Sequence, residues 1–248
     1  MRPDAVAALS IAILAVPAHA AGTGASPRPS LIASPAHIAL LGAAGANVRV
    51  RSTGVRTRVE AVLVPYALDL RGRPRLTAAA RPPGWLTVRP TSVLVDAAGA
   101  QISVTARPPR GASAGDHVAL LLLTTSPHAS GSLRVLMRIG IVVSDRVPGR
   151  LERRLVLRTL RIVRRGRQRL VELSLENDGN VTESLARGRI VVAIAAGRRV
   201  VARLQAARRD LLPHSRGVVL LACPRRVHGR VVAHVRVGAV LRTYPLRL

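Results

Sequence analysis

The side chains able to do chemistry in these 248 residues are 7 His, 12 Asp and Glu, 1 Cys and 39 basic residues, all of the last being Arg. The His stand singly, without the H-E-x-x-H spacing that puts two imidazoles on one zinc ion, and no acidic cluster suits a hard cation. There is no nucleophile elbow for an activated Ser and no glycine loop to cradle a phosphate. Cys223-Pro224-Arg225-Arg226, with His228 and His234 near in sequence, matches no cysteine-protease pattern. A lone thiol of this kind reads as a small buried hydrophobe, the alternatives being a nucleophile or an intermolecular bridge. The expectation is therefore no catalytic residue, no metal and no cofactor. What remains is anion pairing. Arg161, Arg164, Arg165, Arg167 and Arg169 gather about Gly166, and guanidinium forks pair bidentately with carboxylate or phosphate. The same run also reads as the solvated tip of a hairpin. Salt separates the two, since binding through such charges weakens as ionic strength rises.

The formal charge of +27 invites a polyanionic partner. Arg without Lys, abundant Ala, Val, Pro and Gly, and no Phe also mark a GC-rich genome, so part of the basicity is coding bias. Nucleic acid is disfavoured. Aromatic residues are 1% of the chain, which removes the stacking platforms that hold single strands, and no zinc-finger or basic-helix pattern is present.

The address is read from the first residues. A charged Met1-Arg2-Pro3-Asp4, an apolar run from Ala5 to Val16 and the small residues Ala18-His19-Ala20 form a signal peptide over 1–20, with cleavage after Ala20. A membrane anchor is the rival reading, but Pro17 interrupts the run before it reaches the roughly 20 apolar residues that a span needs. No later stretch is long and apolar enough for a transmembrane segment, so the product should be secreted or extracytoplasmic and associated with the cell envelope. With one Cys it has no intrachain disulfide, and packed strands must supply its stability.

The elements that must carry these side chains are strands. Residues 21–35, small and rich in Pro and Gly, read as a flexible lead-in. His37–Leu41 and Asn47–Ser52 follow as strands, the latter with Val48 and Val50 inward and Arg49 and Arg51 outward. An extended run from Thr57 to Tyr66 ends near Pro65, Asp69-Leu70-Arg71-Gly72 turns, and 73–83 is irregular. Gly84–Val88, Gln101–Ala106, Asp116–Thr125 and a strand with Leu133, Val135, Met137, Ile139, Ile141 and Val143 on one face complete a first domain over 36–144. Trp85 is either a packing residue with one partner for its ring N–H or a platform for a sugar. Residues 145–150, punctuated by Pro148 and Gly149, form a linker.

The pattern restarts over 151–248. Leu155–Arg164 is followed by a strand from Arg167 to Leu175, with Val171, Leu173 and Leu175 on one face, which ends at Asn177-Asp178-Gly179-Asn180. Asn and Gly there should reverse the chain into another strand. Ile190–Ala195 and Arg199–Leu204 flank Gly197 as a hairpin, although Arg198–Leu212 also has helix-forming composition. Val218–Ala222, Arg230–Val237 and Ala239–Leu246 finish the set. Many strands, Gly/Pro turns and almost no helical periodicity define an all-β chain of two Ig-like antiparallel β-sandwiches in tandem after a signal peptide.

Several features carry a family resemblance: the Ser34-Pro35 start, the Asp69-Leu70-Arg71-Gly72 turn, Val88-Arg89-Pro90, Pro109 to Asp116 before an apolar strand, and the strand ending Glu176-Asn177-Asp178-Gly179-Asn180-Val181. On these the chain resembles secreted bacterial tandem Ig-like proteins such as the WxL-interacting surface proteins and, more distantly, the PapD-like fimbrial chaperones. The first resemblance implies binding of wall polymer or a surface partner. The second implies donation of the last strand of the first domain to an unfolded exported subunit, with Leu133, Val135, Met137 and Ile139 as the alternating residues and Arg134 and Arg138 in the same strand. An ordinary buried strand alternates in the same way, and an exposed apolar edge is a liability unless used. The leading expectation is a non-catalytic envelope or extracellular binding protein engaging an anionic cell-envelope polymer or an exported protein partner. The alternative is a PapD-like assembly chaperone or adaptor that binds by strand addition.

Overall fold

The structure is a computed structural model and describes residues 30–54, 56–76, 81–130, 133–185 and 188–248. The expected signal peptide and most of the expected lead-in lie outside the described residues. Among those described, every regular element is a strand. In chain order they begin with β1 (Ser30–Ser34), β2 (His37–Leu41), β3 (Gly45–Thr53), β4 (Thr57–Val64), β5 (Tyr66–Leu68), β6 (Pro74–Leu76) and β7 (Leu86–Arg89). Next come β8 (Ser92–Val95), β9 (Ala100–Ala106), β10 (Gly115–Thr125), β11 (His128–Ser130), β12 (Leu133–Val135) and β13 (Arg138–Val147). The rest are β14 (Leu155–Arg165), β15 (Gln168–Asn177), β16 (Glu183–Ser184), β17 (Ile190–Ala196), β18 (Arg199–Gln205), β19 (Asp210–Leu211), β20 (Ser215–Ala222), β21 (Arg230–Val237) and β22 (Val240–Arg247).

The described residues fall into two units. Unit 1 holds residues 30–66, 81–112 and 117–147. Its two sheets run β1-β3-β9-β7 and β2-β13-β10-β4-β8. Val48, Val50, Ile102 and Val104 from one sheet and Val59, Leu121, Leu123, Ile141 and Val143 from the other are completely buried in a common core. Each such side chain contributes about 1.5–3 kcal/mol on leaving water. Alternation puts them there: in β3 the buried Val48 and Val50 are separated by the exposed Arg49. The chain changes sheets at its start. β1 pairs antiparallel with β3, whereas β2 pairs in parallel with β13, so one strand pair departs from the expected antiparallel pattern.

Several expectations are corrected here. The lead-in is not wholly irregular, because Ser30–Ser34 is a strand whose Leu31 and Ala33 pack against the core. β8, set between Arg89-Pro90 and the Asp96–Gly99 turn, is a strand the alternation did not indicate, and β6 lies in the stretch read as irregular. The linker begins later than residue 145, since Asp145 is completely buried within β13.

Unit 2 holds residues 67–76, 113–116 and 148–248. Its main sheets are β14-β15-β20 and β18-β17-β21-β22. Val171, Leu173 and Leu175 of β15 are completely buried and share a core with Ile190, Val192, Ile194 and Ala233. The stretch 198–212 holds strands β18 and β19 and no helix: Arg199–Gln205 pairs with β17, because alternating burial at Ala202 and Leu204 outweighs its helix propensity. The turn after β15 does not lead straight into a long strand. Only the two-residue β16 follows, paired with β19.

That turn is a buried hub. Asn177 stands two residues beyond Leu175, on the inward face of β15, and is completely buried. Its amide nitrogen donates to the carbonyls of Val181 at 2.8 Å and of Leu211 and Leu212 at 3.1 Å. Its side-chain oxygen accepts the Gly179 N–H at 3.0 Å. Three acceptors on one side and one donor on the other fix the orientation of the amide. Asn180 continues the network, donating to the carbonyls of Ala114 and Arg150 and accepting the Glu152 N–H. Gly179 is required by space, since a Cβ there would lie 2.2 Å from the Glu152 carbonyl oxygen.

Replacing Asn177 by Ala removes the partner of these buried groups. Urea unfolding should show a loss of about 3 kcal/mol, at the upper end for leaving buried polar groups unpaired. Asn177→Asp should cost at least as much, because it keeps the acceptor for Gly179 and turns a carboxylate oxygen toward three carbonyls. An Asn177→Ala loss under about 0.5 kcal/mol, the level of an ordinary surface change, would remove the hub from the account.

Candidate functional site

In unit 1 the candidate is the last strand. The continuous strand expected from Leu133 to Val143 is divided into β12 and β13, with Leu136 and Met137 between them. β12 pairs with β11 as a separate small hairpin. The division has a local cause: the Met137 N–H donates to the Thr125 side-chain hydroxyl at 3.0 Å while its carbonyl accepts the Thr125 N–H at 3.0 Å, a side chain replacing one rung of the ladder. The four candidate residues are therefore not equivalent. Ile139 packs against the core, Met137 is half-buried, Val135 is 36% exposed, and the Leu133 side chain lies outside the described ones.

The edge geometry of β13 could not be read from sequence. Its neighbours are β10 on one side and β2 on the other. β2 is short, and its ladder with β13 covers only Val142 to Arg146. Residues 138–141 thus have no strand on that side among the described residues. The Val142 N–H points toward β2, donating to the Ala36 carbonyl. By the two-residue period of a strand, the N–H groups of Gly140 and Arg138 project the same way. Both residues are exposed. Arg138 also places a charge on this open edge, a common device that keeps such an edge from pairing indiscriminately.

In unit 2 the candidate is the β14–β15 hairpin. Arg164 lies opposite Arg169 and Arg165 opposite Gln168, and Gly166, at φ 55°, supplies the left-handed residue of the turn. The five Arg do not act together. Arg161 pairs with Glu172. Arg169 is a structural tie, its guanidinium donating to the carbonyls of Arg225 at 3.1 Å and Val227 at 2.7 Å. Arg164, Arg165 and Arg167 are exposed, with no ion pair among the described residues. Arg165 and Arg167 line an open groove of about 540 Å³ with Gln168, Ala222, Cys223, Pro224 and Arg225. Arg225 is 56 positions beyond Arg169 in sequence, and only the pairing of β15 with β20 brings it there.

Cys223 is 5% exposed, and burial pushes its thiol pKa up, opposed by the nearby Arg169 charge. A thiol held protonated is not an activated nucleophile. Among the described residues no three His, Cys, Asp or Glu are placed to hold a metal ion, and no helix is long and apolar enough to cross a membrane.

Trp85 is placed as a packing residue. It lies against the unit 1 core, donates its ring N–H to Asp145 Oδ2 at 2.9 Å, and meets the His117 ring edge-on with centroids 4.9 Å apart. The indole N–H is what lets the buried Asp145 carboxylate keep a partner inside β13.

Neither a family model nor a curated protein matches the sequence. Solved structures do resemble the chain. The class 5 fimbriae chaperone CfaA is 14% identical, with a TM-score of 0.49, over 88% of this chain and 98% of that one. The CupB2 chaperone of Pseudomonas aeruginosa is 15% identical, with a TM-score of 0.44, over 88% and 100%. A chain of the CsuC–CsuE chaperone–tip subunit pre-assembly complex from Acinetobacter baumannii is 13% identical, with a TM-score of 0.46, over 87% and 97%.

Glu176 on the outward face of β15 offers a test of how the Arg residues are sorted. Arg158 donates to it at 2.6 Å, and Arg216 lies 3.3 Å away. The hydrogen bond from Arg158 holds its carboxyl below the ordinary value of 4.5; desolvation opposes it, and the weaker hydrogen bond from Arg216 and the charges of both guanidinium groups add to the lowering. A carboxyl whose folded pKa is depressed stabilises above its unfolded pKa and loses that contribution as pH falls through the folded one. Melting midpoints of the natural chain and of Glu176→Gln should differ at pH 7 and converge as the pH drops below 4.5. A gap that persists unchanged into strong acid would mean that the ion pair is not its source.

Proposed function

We propose that the chain is an exported, non-catalytic assembly chaperone or adaptor that binds an extended segment of another exported protein by strand addition along the open edge of β13. The supporting observation is that β2 stops at the Val142 rung, leaving Arg138 to Ile141 paired on one side only. Two outward N–H groups and the carbonyls between them are a template for a further strand, and main-chain bonds of this kind supply affinity without demanding a particular sequence. Val135 and Leu136, 36% and 43% exposed, stand just before this strand in the chain and could give an incoming segment apolar contacts. Rigidity suits the role. β13 is held from below by Ile141 and Val143 in the core and by the Trp85 bond to Asp145, so its free end is presented without a cost of ordering.

The experiment is co-expression with an exported subunit that is insoluble alone. Capture should keep the subunit soluble with the natural chain. It should be lost with Arg138→Pro, which removes one edge N–H at the first residue of the strand, where Pro is tolerated, and weakened about tenfold with Val135→Asp. Both positions are exposed, so melting midpoints should stay within a few degrees. Undiminished capture by a folded Arg138→Pro chain would rule out strand addition at this edge.

A further inference from the structure

We infer that the groove between the β14–β15 turn and the chain leaving β20 is a binding site for the phosphate groups of an extended polyanion, with Arg165, Arg167 and Arg225 as its cationic contacts. The site lies in unit 2, and the inference is independent of the strand-addition reading, which concerns unit 1.

Three observations carry it. The first is how unit 2 spends its carboxylates. Glu152, Glu172, Glu176, Asp178 and Glu183 are engaged by Arg150, Arg153, Arg154, Arg158, Arg161, Arg189 and Arg216. The turn beyond Arg161 receives none. Like charges directly opposite one another destabilise a strand pair, yet Arg164 faces Arg169 and neither makes an ion pair among the described residues.

The second is concavity. Arg165, Arg167 and Arg225 line one groove of about 540 Å³, roomy enough for several phosphate groups, with the Gln168 amide beside them. A basic hairpin tip that only solvates itself would project into water and enclose nothing.

The third is that the far wall is fixed in place. The Cys223 N–H donates to the Arg169 carbonyl at 2.9 Å, and the Val227 N–H donates to the Pro224 carbonyl at 3.0 Å. Arg169 ties the carbonyls of Arg225 and Val227. Cys223 and Val227, 5% and 3% exposed, anchor the loop in the core on both sides of Arg225. The backbone that carries Arg225 is therefore set before any ligand arrives, and less ordering is needed on binding. Planar guanidinium forks favour phosphate oxygens over a diffuse negative charge. An open groove suits successive groups along a polymer and not one enclosed anion.

The probe is medium-chain inorganic polyphosphate, titrated into the full chain at several salt concentrations, with inorganic phosphate as the monomeric arm. Replacing Arg165, Arg167 and Arg225 together by Gln should weaken polyphosphate binding about 100-fold at low salt, from the loss of three charge-assisted contacts. It should also flatten the dependence of log K on log salt by about two, at roughly 0.7 per contact. The control removes the same charge elsewhere: Arg198, Arg199 and Arg203, exposed on the β17–β18 hairpin, changed to Gln, should leave affinity within about twofold. Should the first variant melt early, Arg225→Gln alone carries the test, with a loss of about fivefold. Equal losses in the two triple variants, or polyphosphate no tighter than phosphate, would show that the groove binds nothing beyond what net charge attracts and would overturn the assignment.

Discussion

Unit 2 depends on one buried amide. β15 places Val171, Leu173 and Leu175 inward, and the next inward position is Asn177, where another aliphatic residue would continue the core. Its side chain instead binds three carbonyls and one N–H from the turn after β15 and from the end of the two-residue β19 and the residue after it. Irregular backbone can be buried only when its polar groups find partners. The core can therefore extend past the end of β15, and Leu211 and Leu212 can be buried although only a two-residue strand holds them.

Unit 1 uses a similar economy of polar groups. Its core is almost entirely aliphatic, and the buried Asp145 carboxyl has the Trp85 ring N–H as a partner for Oδ2. Thr125 shows the consequence of such substitutions most clearly. By offering its hydroxyl to Met137 where a backbone carbonyl would otherwise serve, it interrupts the ladder with β10, so that β12 and β13 become separate strands, while on the opposite side the short ladder with β2 leaves the first residues of β13 open. The proposed function of the chain rests on that short ladder.

Much of the fold was legible because aliphatic residues recur with a period of two and Gly marks the turns. The hairpin about Gly197 and the buried faces of β3 and β15 follow from that period alone. What could not be read was pairing. Alternation says which face of a strand is buried but not how far its neighbour runs, so the truncated ladder between β2 and β13 left no trace in the residues of either strand. The same holds for the Arg cluster. Five residues close in sequence were grouped, yet register sends Arg161 to Glu172 and Arg169 to two carbonyls, while Arg225 joins from a distant loop. β1 was not legible because Pro and Gly before it make the whole stretch look irregular and its Leu31-Ile32-Ala33 run shows no alternation of apolar and polar residues.

The central claim is that the outer edge of β13 is unpaired until a partner strand arrives. Residue-resolved amide hydrogen exchange tests it most directly. In the free chain the account predicts fast exchange at Arg138 and Gly140 beside a protected Val142, with both fast amides becoming protected in complex with a captured exported subunit and Val142 unchanged. Protection of Arg138 and Gly140 already present in the free chain, or a complex that leaves them fast, would contradict it.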